Sequence, residues 1–281
     1  MIIKGPMFKK IILIMMTIFI FAQPSYAEDE LVLTKQEQAD LIRFVSGNTI
    51  WTMFHETGHA LVSLFDIPIL GKEEDAVDNL ATIIMLLQEN DQADEYLKQT
   101  ALGWFLLDEF SDIAGEELNF SDNHSLDQQR AYQTICFLYG ADKQIFGEFA
   151  KMMEMPEQRL ENCAYDFDRT LESWDRVLAP YILKPGDKNL AVKIAYGSTT
   201  DALKPYKDLL QDSQILENIQ DFIVTNYKIP TTFTLKAETC DDANAYWDAE
   251  AKQVILCYEL MAEFEKLFIF DIKQAIAQGV Y

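Results

Sequence analysis

Basic residues and histidine are scarce in this chain of 281 residues. Its 23 Lys and Arg residues are outnumbered by 46 Asp and Glu residues, which gives a formal net charge of −23, and it has 3 histidines. Nucleic acids and anionic lipid surfaces are themselves negatively charged and would repel such a protein. We therefore expect no nucleic-acid partner. The acidic balance favours solubility but does not by itself identify a substrate.

The N-terminal apolar run, residues 11–22, is too short to span a bilayer, which takes about 20 residues. It follows three lysines and precedes Ser25-Tyr26-Ala27, an A-x-A-like cleavage site. These features predict a signal peptide over residues 1–27 and an exported, periplasmic or secreted, single domain over residues 28–281. No cysteine follows the site, which argues against a lipid anchor. We expect no stable membrane association after cleavage.

Cysteine is also infrequent, and none of the four cysteines lies in a C-x-x-C pair. This argues against a zinc site made of thiolates. In an exported protein cysteines form disulfides by default, and four of them allow three connectivities. We expect the pairs Cys136–Cys163 and Cys240–Cys257, each joining neighbouring elements. The cross pairings, which would tie distant parts of the chain together, remain open.

Two of the three histidines lie in one H-E-x-x-H motif, His55-Glu56-Thr57-Gly58-His59, within an apolar, helix-like run. On a helix, positions i and i+4 share a face, so both imidazoles can bind one Zn²⁺ and Glu56 can act as general base. Gly58, which costs about 1 kcal/mol inside a helix, leaves room for a closely packed neighbour. The alternative is a pair of surface histidines without metal.

A third zinc ligand is expected from the acidic segment after Pro68 and Gly71, which mark a loop before a second apolar-periodic run. A catalytic zinc needs three protein ligands and an open position. Glu74 is the preferred third ligand, with Glu73 as its competitor. Asp78, one turn later, can accept the N–H of a ligating histidine. The alternative is an acidic helix start, which the helix dipole favours.

His124 and Arg130 are further candidates for the site. His124, in a polar loop before a helix, can stabilise an oxyanion as a catalytic residue or replace Glu74 as a ligand. The alternative is a loop histidine that orders the helix start. Arg130 is a weaker candidate for binding a substrate carboxylate or pairing with a nearby Asp.

Apolar periodicity predicts an α+β fold that is predominantly helical, with a zincin-like H-E-x-x-H helix and a small antiparallel sheet. Thr34 to Glu37 form a capping box, and Gly47-Asn48 is expected to interrupt the helix that follows. Strand patterns cover residues 190–196, 231–235 and 253–257. Helical patterns cover residues 73–89, 92–114, 126–139, 143–153, 157–178, 207–226 and 258–277.

The E-x-x-x-D arrangement after H-E-x-x-H resembles the gluzincin metallopeptidases, although its spacing is shorter than in thermolysin, which leaves Glu73 open. Asn244-Ala245-Tyr246-Trp247 is similar to the N-A-[FY]-[YW] edge strand with which neprilysin-type peptidases bind substrate main chain. That likeness implies substrate binding by Asn244 and Ala245. Here the segment follows the zinc motif instead of preceding it, and an ordinary hairpin with aromatic packing is the alternative.

A wider likeness covers residues 36–268. The segments FHETGHAL, GKEEDAVD, HSLDQQR and CDDANAYWD, followed by CYEL, together resemble a bacterial family of exported domains of unknown function described as metallopeptidases. The resemblance implies a zinc-dependent hydrolase that acts on a peptide or protein substrate. The main alternative is a non-catalytic exported binding protein with a structural or vestigial zinc site. A zinc hydrolase acting on another bond is a third hypothesis.

Overall fold

One long helix, α1 (Lys35–Phe65), runs through the protein and carries the H-E-x-x-H residues near its C-terminal end. The computed structural model describes residues 31–187 and 189–280; the expected signal peptide, residues 1–27, lies outside the described residues. Thr34 and Glu37 form the predicted capping box at the start of α1. From Phe44 to Val62 nearly every side chain of the helix is buried, as expected of a helix that is surrounded by other elements.

The predicted interruption at Gly47-Asn48 is wrong, because α1 continues through both residues. Gly47 serves a close helix crossing: a Cβ there would lie 2.9 Å from the main-chain oxygen of Tyr96 in the third helix. Asn48 lies beside the same crossing, where its Nδ2 donates to the carbonyls of Phe44 and Gln99. Gly47 and Asn48 therefore allow α1 and the third helix to pack closely, and they do not end α1.

The helical patterns of the sequence are confirmed by the other helices. The pattern over residues 207–226 is two helices, since Gln214 adopts a left-handed conformation with φ of 53°. A short 3₁₀ turn, Ala179–Tyr181, follows the sixth helix. Within the described residues the helices after α1 are α2 (Glu73–Leu86), α3 (Asp91–Ala114), α4 (Asp127–Ala141), α5 (Lys143–Met152), α6 (Glu157–Leu178), α7 (Lys204–Ser213), α8 (Ile215–Asn226) and α9 (Tyr258–Ala277).

The sheet is small and mixed, so the expected antiparallel arrangement holds for one strand pair only. Its order is β1-β2-β4-β3, with β3 antiparallel to β4 and the other two pairings parallel. Parallel strands need a crossover connection, which α7 and α8 supply between β1 and β2. The α+β class is confirmed. The strands are β1 (Val192–Tyr196), β2 (Phe233–Glu238), β3 (Ala245–Asp248) and β4 (Gln253–Cys257).

Both predicted disulfides are present. Cys136–Cys163 joins α4 to α6, and Cys240–Cys257 joins the loop after β2 to the end of β4. Disulfides of this kind are compatible with an exported protein. In the described part of the chain, no helix has both the length and the apolar character needed to cross a membrane.

Close packing of α1 on α2 places the acidic segment beside the histidines. A Cβ on Gly58 would lie 2.9 Å from the Cβ of Val77 in α2, so only glycine lets the two helices approach this closely. Helix α1 also contacts β3 and β4. The H-E-x-x-H residues therefore lie between the start of α2 and the edge strand of the sheet.

Candidate metal centre

The two motif histidines converge on one point. The Nε2 atoms of His55 and His59 lie 3.2 Å apart, as the i, i+4 spacing predicts. The opposite nitrogen of each ring contacts a carboxylate: His55 Nδ1 lies 2.6 Å from Asp78, and His59 Nδ1 lies 2.8 Å from Glu73. These carboxylates fix the ring orientation and leave both Nε2 atoms facing the same space.

Glu74 occupies that space. Its Oε2 lies 3.2 Å from His55 Nε2 and 3.0 Å from His59 Nε2. The neighbouring Glu73 instead contacts the outer nitrogen of His59, and its side chain is about half exposed. The structure therefore brings Glu74 to the point where the histidines converge and places Glu73 behind one of them.

His124 reaches the same carboxylate from the loop between α3 and α4. Its Nε2 lies 3.1 Å from Glu74 Oε2, and its Nδ1 lies 3.0 Å from Asp122. Lys72, the residue before α2, donates to the carbonyl of His124 at 2.8 Å and to that of Asp122 at 3.3 Å. The loop that carries His124 is thereby tied to the helix start that carries Glu74.

Asp78 is held by a cation as well as by His55. Arg130, on α4, donates from Nε and from a terminal nitrogen to the two oxygens of Asp78, each at 2.8 Å. The guanidinium lies 3.6 Å from the ring centroid of Trp104 and 5.7 Å from that of Trp51. Both charged side chains are largely buried. Of the two roles expected for Arg130, the structure contains the pairing with an Asp.

Glu56 faces the same centre from α1. It is buried, with 7% of its surface exposed, and one carboxylate oxygen lies 3.8 Å from His55 Nε2. It accepts a hydrogen bond from the main-chain N–H of Trp247 in β3. Burial raises the pKa of Glu56 and outweighs the opposing effect of the two histidines. The carboxylate is thus held beside the histidines by the sheet edge.

The charges of the centre are strongly coupled. Burial alone would lower the pKa of His55, but hydrogen bonds with Asp78 and Glu74 outweigh it and raise the pKa from 6.5 to about 9. Burial would raise the pKa of Glu74, but hydrogen bonds from His124, His55 and His59 hold that pKa far below its usual range. Negative charge is therefore stabilised at Glu74, at the centre of the three imidazoles.

Asn244 and Ala245, for which the resemblance implies substrate binding, lie beside the metal centre. With Glu56, His124 and Arg130 they line a cavity of about 180 Å³. Ala245 begins β3, which is the outer strand of the sheet beside β4. Part of the lining of this cavity is apolar and includes Trp104, Leu107, Leu260 and Phe264.

The donor set fits a divalent metal such as Zn²⁺. Imidazole nitrogens and a carboxylate are its usual ligands outside thiolate sites, and the outer nitrogens are already held by carboxylates. Two overlapping trios can supply three ligand atoms: His55, His59 and Glu74, or His55, Glu74 and His124, whose ligand atoms all lie within 4.8 Å of one another. The first trio places two ligands on one rigid helix.

Sequence reasoning did not find the side chains that hold these groups. Lys72, Asp122 and Trp104 contact the site residues, but the sequence predicts no role in the site for any of them. Lys72 and His124 are 52 residues apart, and only the fold brings them together. A lysine immediately before an acidic helix start carries no distinguishing signal in the sequence.

The model of a protein family described as "Putative metallopeptidase" matches residues 12–178 and 196–278 of the chain. This match covers most of the sequence, and the chain therefore belongs to that family. A metallopeptidase family implies a metal ion and a peptide or protein substrate. Neither a curated protein nor a solved structure matches the chain.

Proposed function

We propose that this protein is an exported zinc-dependent peptidase, with His55, His59 and Glu74 as the zinc ligands and Glu56 as the general base. The observation that carries the proposal is the position of Glu74 Oε2, 3.2 and 3.0 Å from the Nε2 atoms of His55 and His59, with the Glu56 carboxylate beside them. Membership in a metallopeptidase family supports the same reading.

A bound Zn²⁺ supplies Lewis acidity, which polarises a scissile carbonyl and lowers the pKa of water. The protein's own residues do the rest. A carboxylate oxygen of Glu56 takes a proton from the attacking water and delivers it to the leaving nitrogen. The hydrogen bond from Trp247 keeps that carboxylate oriented toward the histidines. His124 Nε2, in the loop between α3 and α4, donates a hydrogen bond to the developing oxyanion.

The edge strand supports a peptide as substrate. Asn244 accepts from the N–H of Cys257 in β4 at 3.0 Å, so Asn244 and Tyr246 direct their main-chain groups toward β4. In an antiparallel pair the alternate residues, Ala245 and Trp247, direct theirs to the open edge. An extended substrate can add to that edge, and the carbonyl of Ala245 would accept one of its N–H groups beside Glu56.

Glu56→Gln tests the chemistry, because it keeps the shape of the side chain and removes its capacity to take a proton. We expect the variant to bind as much zinc as the wild type while hydrolysis of a peptide pool falls by at least about 100-fold, the usual contribution of a positioned general base. A zinc-loaded variant that still hydrolyses peptides at the wild-type rate would overturn this mechanism.

A second candidate is a non-catalytic binding protein with a structural zinc, and the position of His124 favours it. His124 Nε2 lies 3.1 Å from Glu74 Oε2, close enough to be a fourth protein ligand, and structural sites are closed by four. The His124→Ala variant distinguishes the peptidase from the non-catalytic binding protein. The peptidase proposal expects full zinc content and slower hydrolysis. Loss of zinc from this variant, with no hydrolysis by the wild type, would favour the structural site.

A further inference from the structure

A second cavity, of about 370 Å³, borders the metal centre between α2 and α4. Asp75 and Ser125 line it, and they directly follow Glu74 and His124 in the chain. Arg130 lines both this cavity and the smaller one beside Glu56. The two cavities therefore share Arg130 in their lining, and the second cavity is a neighbour of the metal centre.

The two cavities differ in chemistry. All nine residues that line the second cavity are polar or charged, including Asn79, Gln129 and Gln133, whereas the first cavity has an aromatic and aliphatic wall. The polar ends of these side chains offer hydrogen-bond partners, while their aliphatic stems also expose apolar atoms to the cavity. The second cavity therefore suits a polar or charged side chain.

One carboxylate in the second cavity has no cationic partner among the described residues. Asp78 and Arg130 neutralise each other through their two-point pair. The nearby Arg159, which contacts Gln133, forms an ion pair with Asp166 at 2.7 Å. No Lys or Arg of the described residues forms an ion pair with Asp75, and the Asp75 side chain is only half-buried.

We propose that this cavity is a subsite for a lysine or arginine side chain of a peptide, with Asp75 as its ion-pair partner and the amide groups of Asn79 and Gln133 as further hydrogen-bond partners. The proposal deepens the proposed peptidase function and rests on it for the class of ligand. A cationic group is the complement of an unpaired carboxylate among neutral amides, and electrostatic complementarity of this kind sets specificity.

Helix geometry alone also favours an acid at this position. Asp75 lies in the first turn of α2, where the helix dipole stabilises negative charge. Glu157, in the first turn of α6, has the same relation to its helix and lines neither cavity. Glu157→Gln is therefore a matched control for Asp75→Asn, since both remove one charge from a helix start.

The test is a binding measurement that does not depend on turnover. The zinc-loaded Glu56→Gln protein is titrated with three pools of randomised octapeptides that differ only at one central position, which is Lys, Gln or Glu. We expect the Lys pool to bind about fivefold more tightly than the Gln pool, and the Glu pool more weakly than either, as for a partly shielded ion pair. This preference should shrink at high salt.

Adding Asp75→Asn should abolish the difference between the Lys and Gln pools, whereas adding Glu157→Gln should preserve it. Equal binding of the three pools by the parent protein, an unchanged preference in Asp75→Asn, or no binding of any pool would overturn the subsite. Hydrolysis of the Gln pool by wild-type protein is measured in parallel. If the wild type hydrolyses the Gln pool but the Lys pool binds no more tightly than the Gln pool, the subsite is wrong and the peptidase proposal still holds.

Discussion

Arg130 holds both oxygens of Asp78, and one of those oxygens lies 2.6 Å from His55 Nδ1. The orientation of a metal-facing imidazole thus depends on a buried ion pair between two other helices. Trp104 covers the guanidinium at 3.6 Å, which shields the pair from water. The ion pair that stabilises the contact between α2 and α4 therefore also orients His55 in the site.

Arg130→Met should destabilise the protein, because it keeps much of the side-chain volume and leaves Asp78 buried without its cation. We expect the free energy of unfolding to fall by about 3 kcal/mol, as when one partner of a buried pair is removed. Denaturant unfolding of metal-free protein measures this. Arg176→Met, which removes a cation from an exposed pair with Glu172, should change stability little. Equal effects of the two substitutions would show that the buried pair stabilises the protein no more than an exposed one.

Asp78→Asn should weaken zinc binding without removing a ligand. The amide cannot match a carboxylate as acceptor for His55 Nδ1, and losses of this kind lower metal affinity by about 10- to 100-fold. Competition with a chromophoric chelator measures the affinity. Glu73→Gln, which changes the more exposed partner of His59, should have a smaller effect. Unchanged affinity in Asp78→Asn would show that this contact does not prepare His55 for metal.

Gly58→Ala tests the approach of α1 and α2. Alanine favours a helix by about 1 kcal/mol over glycine, but its Cβ would lie 2.9 Å from that of Val77. We expect a net loss of about 1–3 kcal/mol, as for overpacked cores, and partial recovery in the double variant with Val77→Ala.

Gly147→Ala is the control for that substitution. Gly147 lies inside α5, and a Cβ there has no other atom within 4 Å, so the helix preference alone should stabilise the protein by about 0.5–1 kcal/mol. Thermal unfolding of both variants gives the comparison. A stabilised Gly58→Ala variant would show that the helices can separate at no cost.

The Cys240–Cys257 disulfide should support peptide binding, because the loop it closes contains the whole of β3. Replacing both cysteines by alanine should lower the free energy of unfolding by about 3 kcal/mol and also weaken binding of an octapeptide pool to the zinc-loaded Glu56→Gln protein. Replacing Cys136 and Cys163 by alanine should lower stability but leave that binding unchanged. Equal binding losses from both pairs would argue against a local role.

The helices and the metal motif could be predicted because both depend on short-range patterns. Spacing of four residues fixes the faces of His55 and His59 whatever the rest of the chain does. Glu73 and Glu74 could not be separated in this way, since adjacent helix residues point about 100° apart and the choice depends on how α2 lies against α1. The close contact of Gly58 with Val77 decides that orientation.

The direction of the strand pairings could not be predicted from the sequence. The parallel alignment of β1 with β2 depends on the crossover through α7 and α8, and alternating residues alone do not encode strand direction. Because glycine is unfavourable in helices, the sequence predicts a helix break at Gly47. Its role depends on the approach of α3, because a Cβ on Gly47 would lie 2.9 Å from the main-chain oxygen of Tyr96.

The most direct test of the central claim is elemental analysis of zinc in purified protein, with Glu74→Ala and Glu73→Ala measured beside the wild type. We expect about one zinc per chain in the wild type and in Glu73→Ala, since three ligands define a catalytic site, and loss of zinc in Glu74→Ala. Wild-type protein without zinc after purification in zinc-containing buffer, or Glu74→Ala protein with full zinc content, would contradict this expectation.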